Sequence, residues 1–130
     1  KKSINKIFEE KGEPYFRDIE EKVCFEILTN NNCVISLGGG SIINNKIRKI
    51  IKKNSYSIYL QVKISNLLNR LKSSKKRPLL NMNKDRGEIL QKIYKDREKF
   101  YKKADFIIDN NNDKFQVLKR IKSKLKSYAE

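Results

Sequence analysis

Three consecutive glycines, Gly38, Gly39 and Gly40, follow an apolar run at residues 34–37 and precede a helical pattern. Without Cβ atoms, such a segment can adopt positive φ and present bare N–H groups to an anion or a sugar hydroxyl. The helix N-terminus that follows would add favourable partial charge. Glycines also make ordinary tight turns between a strand and a helix, and that interpretation stays open at this point. We call residues 38–40 the glycine loop and treat it as a candidate ligand-binding segment.

Charged side chains on either side of the glycine loop could supply the rest of a binding site. Arg17 and Glu20 are three residues apart and would lie on one side of a helix. Arg77 begins the sequence Arg-Pro-Leu-Leu, and Arg97 lies further along the chain. The planar fork of arginine binds carboxylate and phosphate through two parallel hydrogen bonds. Each arginine alone could equally be a solvated surface charge, but together with the glycine loop they indicate a site for an anionic ligand.

The overall composition restricts the chemistry that the chain could perform. The 130 residues include no histidine, which removes histidine-based triads, histidine metal sites and histidine acid-base catalysis. A net charge of +16, from 31 basic and 15 acidic residues, would attract polyanions. A nucleic-acid-binding protein is therefore an alternative. Against specific binding, the lysines are spread along almost every segment and no nucleic-acid recognition motif is visible.

The length fits a single domain over residues 1–130. No apolar stretch reaches the roughly 18 residues that a membrane-spanning helix needs. The first residues also lack the apolar segment of a signal peptide. Cys24 and Cys33 have no metal-type spacing, so we expect both to be reduced core residues of a cytoplasmic protein that does not contact membranes.

Helical and strand patterns alternate along the chain, which predicts an α/β fold with a parallel sheet. Ser3 should cap a first helix that ends at Gly12, and Pro14 should lie in the first turn of the next helix. Residues 73–87 lose periodicity and are expected to form a lid loop. The remaining expectations are strands at 33–37, 56–62 and 106–108, a helix capped by Ser65, and apolar helix positions at Phe16, Ile19, Val23, Ile27, Ile47, Ile50, Ile51, Phe115, Leu118, Ile121 and Leu125.

These motifs, in this order, resemble the shikimate kinase family, and the similarity runs along nearly the whole chain. The family pattern is carried by Phe-Arg-x-x-Glu at Arg17 and Glu20, the glycine loop 18 residues after Glu20, Arg70, Arg-Pro-Leu-Leu at Arg77, and Arg97 before Phe100 and Tyr101. The resemblance implies a parallel-sheet P-loop kinase fold, similar to that of the nucleoside monophosphate kinases, with helices on both faces. Three of the five family strands would be present.

The resemblance also implies a reaction and a set of roles. ATP, with Mg2+, would phosphorylate the 3-hydroxyl of shikimate on the route to chorismate in aromatic amino-acid biosynthesis. Arg17 and Arg97 would clamp the shikimate carboxylate. Glu20 would accept from ring hydroxyls or orient Arg17, and the glycine loop would contact the substrate through its backbone. The enzyme would be a monomer.

On the ATP side, the resemblance implies that Arg77 closes over the phosphates and acts catalytically on the transferring phosphoryl group, as arginine fingers do. Arg70 would lie near the adenine. Phe100 and Tyr101 are interpreted as core residues.

One departure from the family pattern is serious. The chain contains no Gly-x-x-x-x-Gly-Lys-Ser/Thr motif and no aspartate-bearing second strand before its first helix. The prediction is a shikimate kinase that lacks roughly 40 N-terminal residues, including the magnesium ligands, and is inactive as this chain alone. The alternatives are a non-catalytic protein that binds shikimate or another anion, and the basic nucleic-acid-binding protein.

Overall fold

The computed structural model describes residues 2–71, 86–111 and 113–129. Two strands, β1 (Ile58–Gln61) and β2 (Phe106–Asp109), pair in parallel, with Ile58 opposite Phe106. This arrangement confirms the predicted parallel sheet. The helices of the described residues are α1 (Ile4–Ile27), α2 (Asn45–Asn54), α3 (Ile64–Leu71), α4 (Arg86–Tyr101) and α5 (Lys114–Ala129), with a short 3-10 helix at Ser41–Ile43.

The prediction of a third strand at residues 33–37 is wrong for this structure. These residues form neither helix nor strand, and Val34 is completely exposed. A strand needs a neighbour to accept and donate its backbone hydrogen bonds, and no described segment pairs with this one. Cys33 is exposed too, which corrects its assignment to the core, whereas Cys24 is buried as expected. Burial raises the pKa of the Cys24 thiol.

The two predicted helices at the start of the chain join into one kinked helix, α1. Its N-terminus is capped by Ser3, whose hydroxyl accepts a hydrogen bond from the Lys6 N–H at 3.2 Å. Gly12 breaks the helical path with a φ of 79°, a value that glycine adopts without the steric cost of a Cβ. Pro14 follows in the next turn, where a missing N–H is tolerated. The predicted boundary at Gly12 is therefore confirmed as a kink. It separates the first turns of α1 from the longer part that carries Arg17 and Glu20.

The core beneath the glycine loop joins α1 to α2. Cys24 and Leu28 from the α1 side pack with Ile47 and Ile51 of α2, and partly buried aliphatic side chains surround them. The predicted apolar positions of α2 are therefore confirmed. For α1 the predicted buried side is shifted by one position: Val23, expected in the core, is 46% exposed, whereas the next residue, Cys24, is buried.

Two further details differ from the sequence prediction. The helix α3 begins at Ile64, so Ser65 lies inside its first turn and does not cap it. In α5, Val117 is buried, whereas the predicted positions Phe115 and Leu118 are exposed. The structural reason is that α5 packs on β2 along a different side from the one that the apolar spacing indicates.

Two sequence predictions concern residues that the structure does not describe. Arg77 and residues 73–85 of the expected lid loop lie outside the described residues. In the part of the chain that the structure describes, no helix combines the length and apolar character needed to cross a membrane.

Candidate functional site

Arg17 is held in place by two carboxylates of its own helix. Glu13, Arg17 and Glu20 follow each other at intervals of four and three residues, so their side chains meet on one side of α1. The guanidinium donates to Glu20 Oε2 from Nη1 at 2.6 Å, and to Glu13 Oε1 from Nη2 at 2.9 Å and from Nε at 3.2 Å. Burial opposes the charge, but the hydrogen bonds that Arg17 donates to Glu20 and Glu13, with the charges of these carboxylates, outweigh it and raise the pKa of Arg17. The side chain is therefore a fixed cation.

The terminal nitrogens of Arg17 lie against Gly40. A Cβ placed on Gly40 would be 2.5 Å from both Nη1 and Nη2. The guanidinium has five N–H groups, and the bonds to Glu13 and Glu20 use three of them. The two that remain, one on each terminal nitrogen, can donate to a ligand beside Gly40.

Gly38 makes the corresponding approach to Glu20. A Cβ on Gly38 would be 3.0 Å from Glu20 Oε1, the carboxylate oxygen that does not receive the Arg17 hydrogen bond. The Glu20 side chain is 13% exposed, so this oxygen is sheltered from solvent. It can accept a hydrogen bond from a ligand hydroxyl.

Gly39 brings the C-terminal half of α4 into the same site. A Cβ on Gly39 would be 3.1 Å from the Tyr101 hydroxyl and 3.7 Å from Arg97 Nη1. Within the described residues the guanidinium of Arg97 has no ion-pair partner. Arg97 thus places a positive charge at the glycine loop, and no carboxylate of the described residues pairs with it.

Glycine suits residues 38–40 for a different reason from the one expected. Among the described glycines only Gly12 has a positive φ, so the glycine loop does not use the left-handed conformation that the sequence suggested. A Cβ at Gly40 would overlap the Arg17 guanidinium, and Cβ atoms at Gly38 and Gly39 would lie 3.0 and 3.1 Å from Glu20 Oε1 and the Tyr101 hydroxyl. The expectation of unpaired backbone N–H groups agrees with the structure. In residues 2–71, 86–111 and 113–129, no acceptor lies within hydrogen-bond distance of the N–H of Gly39 or Gly40.

An open groove of about 420 Å³ lies beside Arg17. Asn44 forms part of its wall and is itself fixed, because its Oδ1 caps α2 by accepting from the Lys46 N–H at 2.8 Å, while its Nδ2 donates to Glu21. Hydrogen bonds from Lys46 and Asn44 lower the pKa of Glu21. The residues that line the groove are Glu13, Pro14, Arg17, Glu20, Gly40, Ile43, Asn44 and Ile47.

Comparison with known sequences decides the family. The family model for shikimate kinase matches residues 1–126. The chain belongs to the shikimate kinase family. A curated shikimate kinase of Aquifex aeolicus is 34% identical over 127 residues, which are 98% of this chain and 74% of that protein. One of Bartonella henselae is 34% identical over 116 residues, which are 89% of this chain and 55% of that protein. The chain thus spans about half to three quarters of the length of these relatives.

Solved structures of the family share the fold. A shikimate kinase from Acinetobacter baumannii in complex with shikimate superposes with a TM-score of 0.90 at 27% identity, covering 98% of this chain and 73% of that one. The Aquifex aeolicus enzyme gives a TM-score of 0.80 at 35% identity, with 98% and 74% covered. The predicted P-loop kinase fold class is therefore confirmed, with two paired strands in the described residues in place of the three expected.

Among the shikimate kinase residues predicted from the sequence, the structure brings together Arg17, Glu20, Arg97 and the glycine loop. Arg70 takes a different position at the end of α3, where its Nη2 donates to the Asn110 carbonyl at 2.8 Å. That places it against the turn after β2. Arg77 lies outside the described residues, so its role stays a prediction.

Sequence reasoning missed three residues that build this site. Glu13 holds Arg17, and its spacing of four residues was a usable signal. Arg48 donates to the carbonyls of Ile42 and Ile43 at 2.8 and 2.6 Å and stacks over the Phe100 ring at 4.2 Å, so Phe100 is more than a core residue. Tyr101 was also assigned to the core, whereas its hydroxyl bonds to the glycine loop.

Replacing Gly40 by alanine should displace Arg17 without unfolding the protein. The new Cβ would require the guanidinium to move, and the end of a long side chain can do so without a shift of the backbone. We expect an anionic ligand of this site, probed with shikimate, to bind about tenfold more weakly by calorimetry, the loss of roughly one charged hydrogen bond. An Arg17→Ala background is the matched control, since Gly40→Ala should add little there. Equal losses in both backgrounds would contradict this explanation.

Proposed function

We propose that the protein carrying these residues transfers the γ-phosphoryl group of ATP to the 3-hydroxyl of shikimate. The observation that supports this most directly is the convergence of Arg17 and Arg97 on consecutive residues of the glycine loop. Membership of the shikimate kinase family adds independent support. The cytoplasmic location expected from the cysteines and the monomeric state stay predictions.

The carboxylate of shikimate would lie between the two arginines. Arg17 offers its two remaining N–H groups beside Gly40, and Arg97 offers a cation that the described chain does not neutralise. A carboxylate placed there receives charge-assisted hydrogen bonds from both sides. Neutral analogues of shikimate should therefore bind poorly.

The ring hydroxyls would meet Glu20 and the glycine loop. The Oε1 atom of Glu20 faces Gly38 and is positioned to accept from a hydroxyl. The N–H groups of Gly39 and Gly40 are available to donate to ligand oxygens, because no described residue accepts a hydrogen bond from them. These contacts would orient the ring so that one hydroxyl is presented for transfer.

ATP and Mg2+ enter this proposal through the family resemblance. The 130 residues contain no phosphate-binding Gly-x-x-x-x-Gly-Lys-Ser/Thr motif, and the described part of the chain has no cluster of three metal-ligating side chains. The described residues therefore do not form a Mg2+ site. The reaction is proposed for a protein in which these residues are joined to a phosphate-binding Gly-x-x-x-x-Gly-Lys-Ser/Thr motif. Arg70 would lie near the adenine with the turn after β2, and Arg77 would act on the phosphates.

The test is shikimate-dependent release of ADP by the protein as its gene encodes it, with the phosphorylated carbon identified by NMR. Shikimate should be phosphorylated at its 3-hydroxyl, and its methyl ester should be used about ten- to a hundredfold less well, because it lacks the charge that the arginines bind. Equal use of the ester would contradict the carboxylate site. Tight binding of shikimate without turnover would instead support the non-catalytic alternative.

A further inference from the structure

Tyr101, the last residue of α4, joins that helix to the glycine loop. Its hydroxyl donates to the Gly39 carbonyl at 2.7 Å, across a separation of 62 residues. The same helix carries Arg97 one turn earlier, and Arg97 Nη1 approaches Gly39 as well. The hydrogen bond therefore holds the end of α4, and with it Arg97, close to the backbone of Gly39.

The ring of Tyr101 packs against a second tyrosine ring. It stacks on Tyr59 of β1, with ring centroids 5.1 Å apart and an angle of 24° between the planes. Burial and a hydrogen bond with Tyr94 raise the pKa of Tyr59. Tyr94 in turn donates to Glu98 at 2.9 Å, on the same helix as Tyr101. The hydroxyl of Tyr101 thus projects from a rigid surface.

The bond to Gly39 also orients the next N–H group. The carbonyl of Gly39 and the N–H of Gly40 belong to one planar trans peptide and point in opposite directions. Holding the carbonyl on Tyr101 aims the Gly40 N–H away from the Tyr101 hydroxyl. That N–H has no acceptor among the described residues.

We propose that Tyr101 is a positioning residue for the shikimate site, which holds the Gly39–Gly40 peptide so that it and Arg97 face one ligand together. This inference rests on the proposed function, because shikimate is the ligand whose affinity it would set. It assigns Tyr101 no role in the transfer itself. Loss of the hydroxyl should therefore affect KM for shikimate and leave kcat and KM for ATP unchanged.

The test compares Tyr101→Phe with the unaltered protein as its gene encodes it. Phenylalanine keeps the stacked ring, so the melting temperature should change little. We expect KM for shikimate to rise about three- to tenfold, the effect of one neutral hydrogen bond. Tyr56→Phe, which removes the hydroxyl of a tyrosine that is 60% exposed before β1, is the matched control and should change none of these values.

The outcomes separate this inference from the proposed function. An active protein whose Tyr101→Phe variant keeps its KM for shikimate would overturn the positioning role and leave the proposed function intact. Equal changes in KM for shikimate and ATP, or a lower kcat at unchanged KM, would overturn it as well. An unaltered protein without shikimate-dependent turnover or shikimate binding would overturn both.

Discussion

Replacing Arg17 by alanine is expected to weaken shikimate binding by on the order of a hundredfold, while ATP affinity changes little. The variant loses the two N–H groups beside Gly40 that the ligand carboxylate would use. It also leaves Glu13 and Glu20 without the cation that they share, so two negative charges would face an anionic ligand. The second effect makes the expected loss larger than that of a single hydrogen bond.

The measurement is calorimetric titration of the protein with shikimate and, separately, with ATP. Arg17→Lys keeps a charge but not the planar fork, so we expect an intermediate loss. Arg120→Ala, at an exposed position of α5, is the matched control and should alter neither affinity. If Arg17→Ala weakened shikimate and ATP binding equally, the assignment of Arg17 to the carboxylate would be wrong.

The 130-residue chain on its own is expected to show no phosphorylation of shikimate and no sharp thermal unfolding. Its sequence has no motif whose backbone could cradle the phosphates of ATP. The sheet of the described residues has two paired strands, so each strand has one edge without a partner in the described chain. Val34, Leu60 and Ile107 are exposed, so apolar surface near the strands is not buried within the described chain.

Circular dichroism during heating and a coupled ADP assay would test this on the purified chain. A broad, weakly cooperative transition and no signal above the rate without shikimate are the expected results. Addition of shikimate should sharpen the transition only if the site binds its ligand in this form. A sharp transition together with measurable turnover would show that the phosphate-binding motif is dispensable.

Some features followed from the sequence because their causes are local. The hydroxyl of Ser3 and the conformational freedom of Gly12 act within one helical turn, and the structure has a cap and a kink at these positions. The pairing of Arg17 with Glu20 follows from their spacing of three residues on one helix. The alternation of helices and apolar runs was sufficient to predict the parallel sheet.

Whether residues 33–37 form a strand depends on residues far from them in the sequence. An apolar, β-branched run predicts a strand, but a strand exists only where a neighbour completes its hydrogen bonds. No described segment does so, and Val34 and Cys33 are exposed as a result. The same run could be a paired strand beside a different neighbour.

By itself, the sequence determined which residue types were available to bind an anion, and it placed Arg17 and Glu20 on one side of a helix. Only the tertiary structure decided why glycine suits residues 38–40: guanidinium, carboxylate and hydroxyl groups lie close to the positions that their Cβ atoms would take. It also decided that Tyr101 bonds to Gly39, 62 residues away. Spacing rules act over one or two helical turns, whereas these contacts depend on how α1 and α4 pack against the glycine loop, and no local pattern encodes that packing.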